Sequence, residues 1–148
     1  MKKLASLCTL FLYSLGTQHA LAAPSTEEKP FADHKIVLQI SDNDPTKQTL
    51  VLNVANNLIN AYGRDKVDIE IVAFGPGLRL LFKDNANSNR IEGLTGNGVR
   101  FAACDNTVAA MTKLLGHAPE LHSDATNVSA GVVRIIDLQD KGFKLIKP

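Results

Sequence analysis

The chain has 148 residues, with 16 lysines and arginines against 15 aspartates and glutamates and a formal net charge of +1 at pH 7. This length suits one domain with a real core and is hardly enough for two. The charge is nearly balanced and forms no dense basic patch, so nucleic acid is not an expected partner.

The first 22 residues have the pattern of an export signal. Lys2 and Lys3 are followed by an apolar run, Leu4 to Leu15, and then by the small-x-small pattern of Ala20 to Ala22. We therefore predict a signal peptide over 1–22, cleaved after Ala22, and a periplasmic protein. The apolar run is too short for a permanent span, so no stable membrane anchor is expected. Cys8 would leave with this segment.

The next elements predict a strand followed by a helix. Residues 23–34 mix proline, serine, threonine and charge without periodicity, which predicts a flexible lead-in to one domain over 35–148. The β-branched run Lys35 to Ile40 predicts a buried strand. Asp44 and Pro45 then predict a helix start, and Gly63 predicts its end.

Strands and helices continue to alternate along the rest of the chain. The predicted strands are Val67 to Phe74, Val99 to Cys104, a brief one at Asn127 and Val128, and Phe143 to Lys147. The predicted helices are Leu78 to Lys83 and Asp105 to about Leu115, with a loop or short helix within Asp84 to Asn97. A last helix is predicted to be capped by Ser129, with Val132, Val133, Ile136 and Leu138 on its apolar face and Ile135 on the flank. This alternation predicts an α/β domain with a mainly parallel sheet and helices on both faces.

Three loops should meet at one edge of that sheet. Ser41 to Asp44, Phe74 to Gly77, and Cys104 to Thr107 each follow the carboxyl end of a predicted strand. Ligands of open parallel sheets bind beyond these ends. We therefore expect the three loops to line one cleft.

Cys104 is the main candidate for chemistry. A cysteine between a strand and a helix faces the positive end of the helix dipole, which favours the thiolate. Asp105 opposes this effect unless its carboxylate is occupied in capping the helix. Exported proteins usually pair their cysteines, so a single one is buried and inert, joined to another molecule, or chemically available.

The remaining candidates each have an ordinary explanation. Arg79 and Arg100 could assist the thiolate, although a solvated surface charge is the favoured interpretation of both. The run Gly75, Pro76 and Gly77 could let the backbone approach an anion, but it also fits a simple turn. Further polar candidates are Asp42 and Asn43 in an acidic loop, and His34, His117 and His122, which lack a recognised ligand spacing with Cys104.

With these segments in hand, the chain resembles the DsrE/DsrF-like family of small sulfur-relay proteins. The resemblance covers roughly Lys35 to Pro148. It is carried by Lys35 to Ser41, Ile71 to Gly77, Gly98 to Thr107 and Gly131 to Pro148.

The resemblance implies a flavodoxin-like sheet, a homo-oligomer, no cofactor, and a Cys104 that carries sulfur as a persulfide or mixed disulfide for a protein partner. The residues placed around Cys104 are Asp42, Asn43, Gly75, Pro76, Gly77, Asp105, Asn106 and Thr107, with the N–H groups of Asn106 and Thr107 stabilising the thiolate. The alternatives are a non-catalytic oligomeric binding protein whose cysteine only packs, and a metal-binding module.

Overall fold

Five strands form one sheet in which every neighbouring pair is parallel. The computed structural model describes residues 28–148, so the predicted signal peptide, its cleavage site and the lead-in up to residue 27 lie outside the described residues. The strands are β1 (His34–Ile40), β2 (Val67–Ala73), β3 (Arg100–Cys104), β4 (Ala125–Val128) and β5 (Lys144–Ile146), in the spatial order β4-β3-β2-β1-β5. The predicted single-domain α/β fold with a flavodoxin-like parallel sheet is confirmed.

Four α-helices and one 3₁₀ helix connect the strands. They are α1 (Pro45–Tyr62), the 3₁₀ helix (Gly75–Leu81), α2 (Ser88–Gly96), α3 (Asp105–Leu115) and α4 (Gly131–Asp140). The predicted start of α1 is confirmed, because the Asp44 carboxylate accepts the Thr46 N–H at 2.7 Å. The prediction of a helix over Leu78 to Lys83 was wrong in position and type: the 3₁₀ helix begins at Gly75, whose φ of 53° suits glycine.

The two faces of the sheet are covered unequally. One face packs against α1, α2, α3 and the 3₁₀ helix, through a core that includes Leu38, Leu52, Ile71, Leu78 and Phe101. On the other face the core is smaller and consists of Val37, Val72 and Ala102 from the sheet with Ile135, Leu138 and Phe143. Among the described elements, α4 is the one helix on this second face. We call it the α4 face.

The predicted apolar face of α4 was largely wrong. Leu138 is buried as expected, and Ile135, which we placed on the flank, is buried as well. Val132, Val133 and Ile136 are instead about half exposed. The buried residues of α4 are Gly131, Ile135 and Leu138. Because Gly131 has no side chain, the start of α4 can lie close to Phe74. The helix therefore has a second apolar stripe that points away from the sheet.

The predicted cap of α4 was also wrong. Ala130 occupies the N-cap position and no side chain caps the helix, so Ser129 lies one residue too early for that role. The N–H groups of the first turn are thus left for other partners.

The α4 face carries a buried ionic network. Arg100 lies between Asp68 and Glu70, with its Nη1 2.5 Å from Asp68 Oδ1 and its Nε 3.0 Å from Glu70 Oε2. Both carboxylates are buried, and Arg100 is 8% exposed. Arg134 of α4 also donates to Glu70, at 2.6 and 2.7 Å. The favoured interpretation of Arg100 as a solvated surface charge is therefore wrong.

The start of the described chain is held against the amino edge of the sheet. The Lys29 backbone N–H donates to Asp68 at 2.9 Å, and the Lys29 ammonium donates to the carbonyl oxygens of Arg64 and Val67. Glu28 accepts a hydrogen bond from Lys141 at 2.7 Å. Glu28 and Lys29, which belong to the predicted lead-in, thus make specific contacts. No helix in the described range 28–148 has the length and apolar character needed to cross a bilayer.

Candidate functional site

Cys104 lies where two helices begin. It is the last residue of β3 and the N-cap of α3, with φ −74° and ψ 115°. Because alternate side chains of a strand point to opposite faces, Cys104 shares the α4 face with Ala102 and Arg100. The residue is only 5% exposed. The carrier interpretation needs a partly exposed thiol and the packing interpretation a buried one, and the structure buries this residue.

Polar groups from the starts of two helices act on the Cys104 sulfur. Burial alone would raise the pKa of this thiol, but the Thr107 hydroxyl and the backbone N–H groups of Gly131, Thr107 and Asn106 act in the opposite direction and leave the pKa below its ordinary value. The donors come from the first turn of α3 and from the start of α4. The site therefore combines the N-termini of two helices around one sulfur atom, an arrangement that favours an anion.

Thr107 connects the Cys104 sulfur to the segment Gly75 to Gly77. Its Oγ1 accepts the Gly75 N–H at 2.9 Å, so the hydroxyl hydrogen is available for donation to Cys104. This contact explains how the predicted segment 75–77 belongs to the site. Gly75 supports the donor and does not hold an anion with its own N–H group.

Two glycines allow the close approaches that assemble the site. A Cβ on Gly77 would overlap the Ile40 carbonyl and would lie 2.7 Å from the Ser41 Cα, so only glycine lets the 3₁₀ helix contact the end of β1. A Cβ on Gly131 would lie 3.0 Å from the Phe74 Cβ. The small size of Gly131 thus brings the α4 N-terminus within reach of Cys104.

The expected convergence of three loops is confirmed in part. Ser41, Gly75, Gly77, Cys104 and Thr107 lie in one contact chain at the carboxyl edge of the sheet. Other predicted residues point elsewhere: Asp42 pairs with Lys47 at 3.2 Å, Asp105 accepts a 2.6 Å hydrogen bond from Asn127, and Asn43 and Pro76 are exposed. Asp105 is the first residue of α3 and does not cap it.

Neither predicted arginine assists the thiolate. Arg100 begins the strand that Cys104 ends, and at about 3.3 Å per residue the two lie roughly 13 Å apart. Arg100 is instead paired with Asp68 and Glu70. Arg79 lies over the Phe82 ring, with 5.7 Å between its guanidinium carbon and the ring centroid. The stabilisation of the thiolate therefore comes from hydrogen bonds and helix dipoles.

The three histidines are not gathered around Cys104. His34 stacks on Tyr62 with 3.9 Å between ring centroids, His117 contacts the carbonyl of Ala118, and His122 accepts the Asp124 N–H. Across residues 28–148, no three histidine, cysteine, aspartate or glutamate side chains are grouped closely enough to hold a metal ion.

Gly131 is the site residue that the sequence analysis missed. The ends of β1, β2 and β3 were expected at the site, but β4 also ends at the same edge of the sheet, and α4 starts three residues after β4. Because Ser129 was predicted as the N-cap, the N–H groups in the first turn of α4 were expected to be capped, and they are not. The signal was the glycine itself, at the first position of a helix that follows a parallel strand.

An ion pair holds α4 in the position that the site requires. Arg134 lies one turn after Gly131 and makes a two-point contact with the buried Glu70. Glu70 is in turn bound to Arg100 on the strand that carries Cys104. The pair therefore fixes the distance between the α4 N-terminus and the sulfur.

Comparisons with known proteins relate the chain to a solved structure. No family model and no curated protein matches the chain. A solved structure that matches is a protein of unknown function from Methanobacterium thermoautotrophicum, with 33% sequence identity and a TM-score of 0.71. The match covers 78% of this chain and 100% of that one. The chain therefore belongs to the same family as this Methanobacterium thermoautotrophicum protein.

Proposed function

We propose that this protein is a periplasmic sulfur carrier of the DsrE/DsrF type, in which Cys104 holds sulfane sulfur as a persulfide. The observation that carries the proposal is the position of Cys104 at the N-cap of α3 and beside the start of α4, where the Thr107 hydroxyl and nearby backbone N–H groups lower the pKa of its thiol. A packing cysteine does not need them, whereas a thiolate does. The family-like segments that flank the site support the same interpretation.

The chemistry is a transfer of one sulfur atom between thiolates. The Cys104 thiolate attacks the outer sulfur of a donor R–S–SH, the donor S–S bond breaks, and R–S⁻ leaves with the electron pair. Cys104 then carries –S–SH, and the proton stays on the outer sulfur. A mixed disulfide forms in the same way when the donor is R–S–S–R, again with release of R–S⁻.

The same donors assist the second half of the cycle. An acceptor thiolate attacks the outer sulfur of the Cys104 persulfide, and the Cys104 sulfur leaves as a thiolate. A thiol with a lowered pKa leaves faster, so the N–H groups of Gly131, Thr107 and Asn106 promote release as well as capture. Neither step requires a cofactor.

The low exposure of Cys104 favours a second candidate function. At 5% exposure the thiol has little contact with solvent, as expected of a structural cysteine. A cleft of about 730 Å³ lies elsewhere, with Arg79, Phe82, Leu115 and His117 in its lining. The alternative is therefore a non-catalytic binding protein that uses this cleft and whose cysteine only packs.

Intact-mass analysis after polysulfide treatment separates the two functions. Cys8 is replaced by serine so that Cys104 is the one thiol of the full chain. If the carrier function is correct, this variant gains one or more sulfur atoms, and the gain disappears on treatment with a reductant. The matched control is the Cys8→Ser, Cys104→Ser double variant, which should stay at its starting mass.

Two further results decide the matter. A lowered pKa of Cys104, measured from the pH dependence of alkylation, supports the carrier function. Equal sulfur gain in the two variants, or a Cys104 that resists both polysulfide and alkylation in the folded protein, would establish the packing role instead. In that case Cys104→Ser should lower thermal stability and leave sulfur uptake unchanged.

A further inference from the structure

The α4 face is too wide for the one helix that covers it. Five strands at about 4.8 Å spacing span roughly 19 Å, whereas a helix with its side chains is about 10 Å across. All-parallel sheets normally have both faces covered. Leu145 of β5, which is in register with the buried Val37 and so points to the same face, is 39% exposed. Leu145 is therefore an apolar side chain on this face of the sheet that α4 leaves exposed.

The outer surface of α4 is itself apolar. Val132, Val133 and Ile136 are 54%, 50% and 52% exposed, and their spacing places them on one side of the helix. None of them contributes to either core. We call these three residues, taken together with Leu145, the α4 stripe. Such a patch on one face of a small domain marks an interaction surface.

The charges on α4 indicate what covers the stripe. The first turn contains no acidic residue and the last turn contains no basic residue. Asp137 and the terminal Asp140 lie near the negative end of the helix dipole, where a carboxylate is unfavourable, and the C-cap Lys141 beside them is bound to Glu28. A second α4 packed antiparallel would bring its positive N-terminus beside these carboxylates, and the relation would be reciprocal.

We infer that the α4 stripe is the interface of a two-fold dimer in which α4 packs antiparallel on α4 of a second copy. In a two-fold interface the same patch meets itself, so Val132 and Val133 of each copy pack near Ile136 of the other. A standard interface buries about 800 Å² per partner, which is more than ten residues of helix supply, so Leu145 takes part as well. Polarity and charge are both self-complementary here.

The dimer would place a second chain at the cysteine site. Val132 directly follows Gly131, whose N–H contacts the Cys104 sulfur. Access to Cys104 from the α4 side would then pass along the boundary between the copies. The inference itself rests on packing and charge, and it stands whether or not Cys104 carries sulfur.

Sedimentation velocity over a range of protein concentrations tests the dimer. The wild-type chain should sediment as a dimer, and the Val133→Glu, Ile136→Glu variant should sediment as a monomer with an unchanged far-ultraviolet circular dichroism spectrum. The matched control is Leu114→Glu, which removes a side chain that is 78% exposed on α3 and should leave the dimer intact. The Asp137→Lys, Asp140→Lys variant should weaken the dimer at least tenfold, because each copy would then place positive charge beside a helix N-terminus.

Other occupants of the α4 stripe give different results. A chain that is monomeric at every concentration, with and without residues 1–22, would overturn the inference. A chain that dimerises only when residues 1–22 are removed would show that its own N-terminal segment covers the stripe, which also contradicts the proposal for the full chain. A dimer that survives the double glutamate variant would place the interface elsewhere.

Discussion

Replacement of Arg100 by methionine should remove a large part of the stability of the fold. The substitution keeps the length and much of the volume of the side chain but removes the one cation that lies between Asp68 and Glu70. Glu70 would keep Arg134, and Asp68 would keep the Lys29 N–H. The variant is therefore left with a buried carboxylate that has lost its ion pair.

The size of the loss follows from the contacts. At least two charge-assisted hydrogen bonds are removed, each worth about 1.5–3 kcal/mol, and breaking a buried pair from one side costs about 3–5 kcal/mol. We expect a decrease of about 3–4 kcal/mol in the free energy of unfolding. Domains of this size have a total stability of about 5–15 kcal/mol, so the variant should still fold but should unfold at a lower urea concentration than the wild type.

Urea unfolding followed by circular dichroism measures this difference. The control is Arg64→Met, because Arg64 is 61% exposed and pairs with an exposed Asp65 at 3.6 Å. Such surface substitutions change stability by about 0.5 kcal/mol or less. If Arg100→Met costs no more than Arg64→Met, the buried network does not contribute stability and our interpretation of the α4 face is wrong.

Three further predictions follow from single contacts. Thr107→Val should raise the pKa of the Cys104 thiol, measured from the pH dependence of iodoacetamide alkylation, and Thr107→Ser should restore it; an unchanged pKa in the valine variant would mean that the hydroxyl does not act on the sulfur. Gly77→Ala should cost about 3 kcal/mol in urea unfolding, the upper end of overpacking costs, because its Cβ meets the backbone at the end of β1; a neutral effect would show that the 3₁₀ helix is free to shift. The Lys141 hydrogen bond holds the pKa of Glu28 below its ordinary value of 4.5, so this carboxylate adds stability above that pH, and the contribution is lost as the pH falls through the lowered pKa. Glu28→Gln should therefore be less stable than wild type at pH 7 and equally stable once the pH is below the lowered pKa, as equilibrium unfolding at several pH values would show.

The strands and the first helix could be predicted from the sequence because local rules and tertiary packing agree there. The run Lys35 to Ile40 is β-branched and apolar, and Asp44 with Pro45 marks a helix start by its own chemistry. Asp68 and Glu70 show where such rules end. They alternate with Ile69 and Ile71 as though they faced solvent, yet both are buried and paired with arginines that are distant in sequence.

The site was only half predictable for a similar reason. Cys104, Asn106 and Thr107 are neighbours in sequence, so the start of α3 could be identified directly. The contribution of Gly131 depends on α4 crossing to the opposite face of the sheet from α3, which periodicity does not reveal. The apolar face of α4 was misassigned because Val132, Val133 and Ile136 satisfy a helical pattern as well as Ile135 and Leu138 do.

The strand order ties the completion of this sheet to the very end of the chain. β1 is seven residues long, and its outer edge is covered by β5, which pairs with it at Ile36 to Leu38. Until residues 144–146 have been synthesised, this apolar strand has an open row of N–H and C=O groups, and such rows recruit strands from other molecules. A nascent or shortened chain would thus be prone to aggregate, and the last few residues protect the whole domain from self-association through β1.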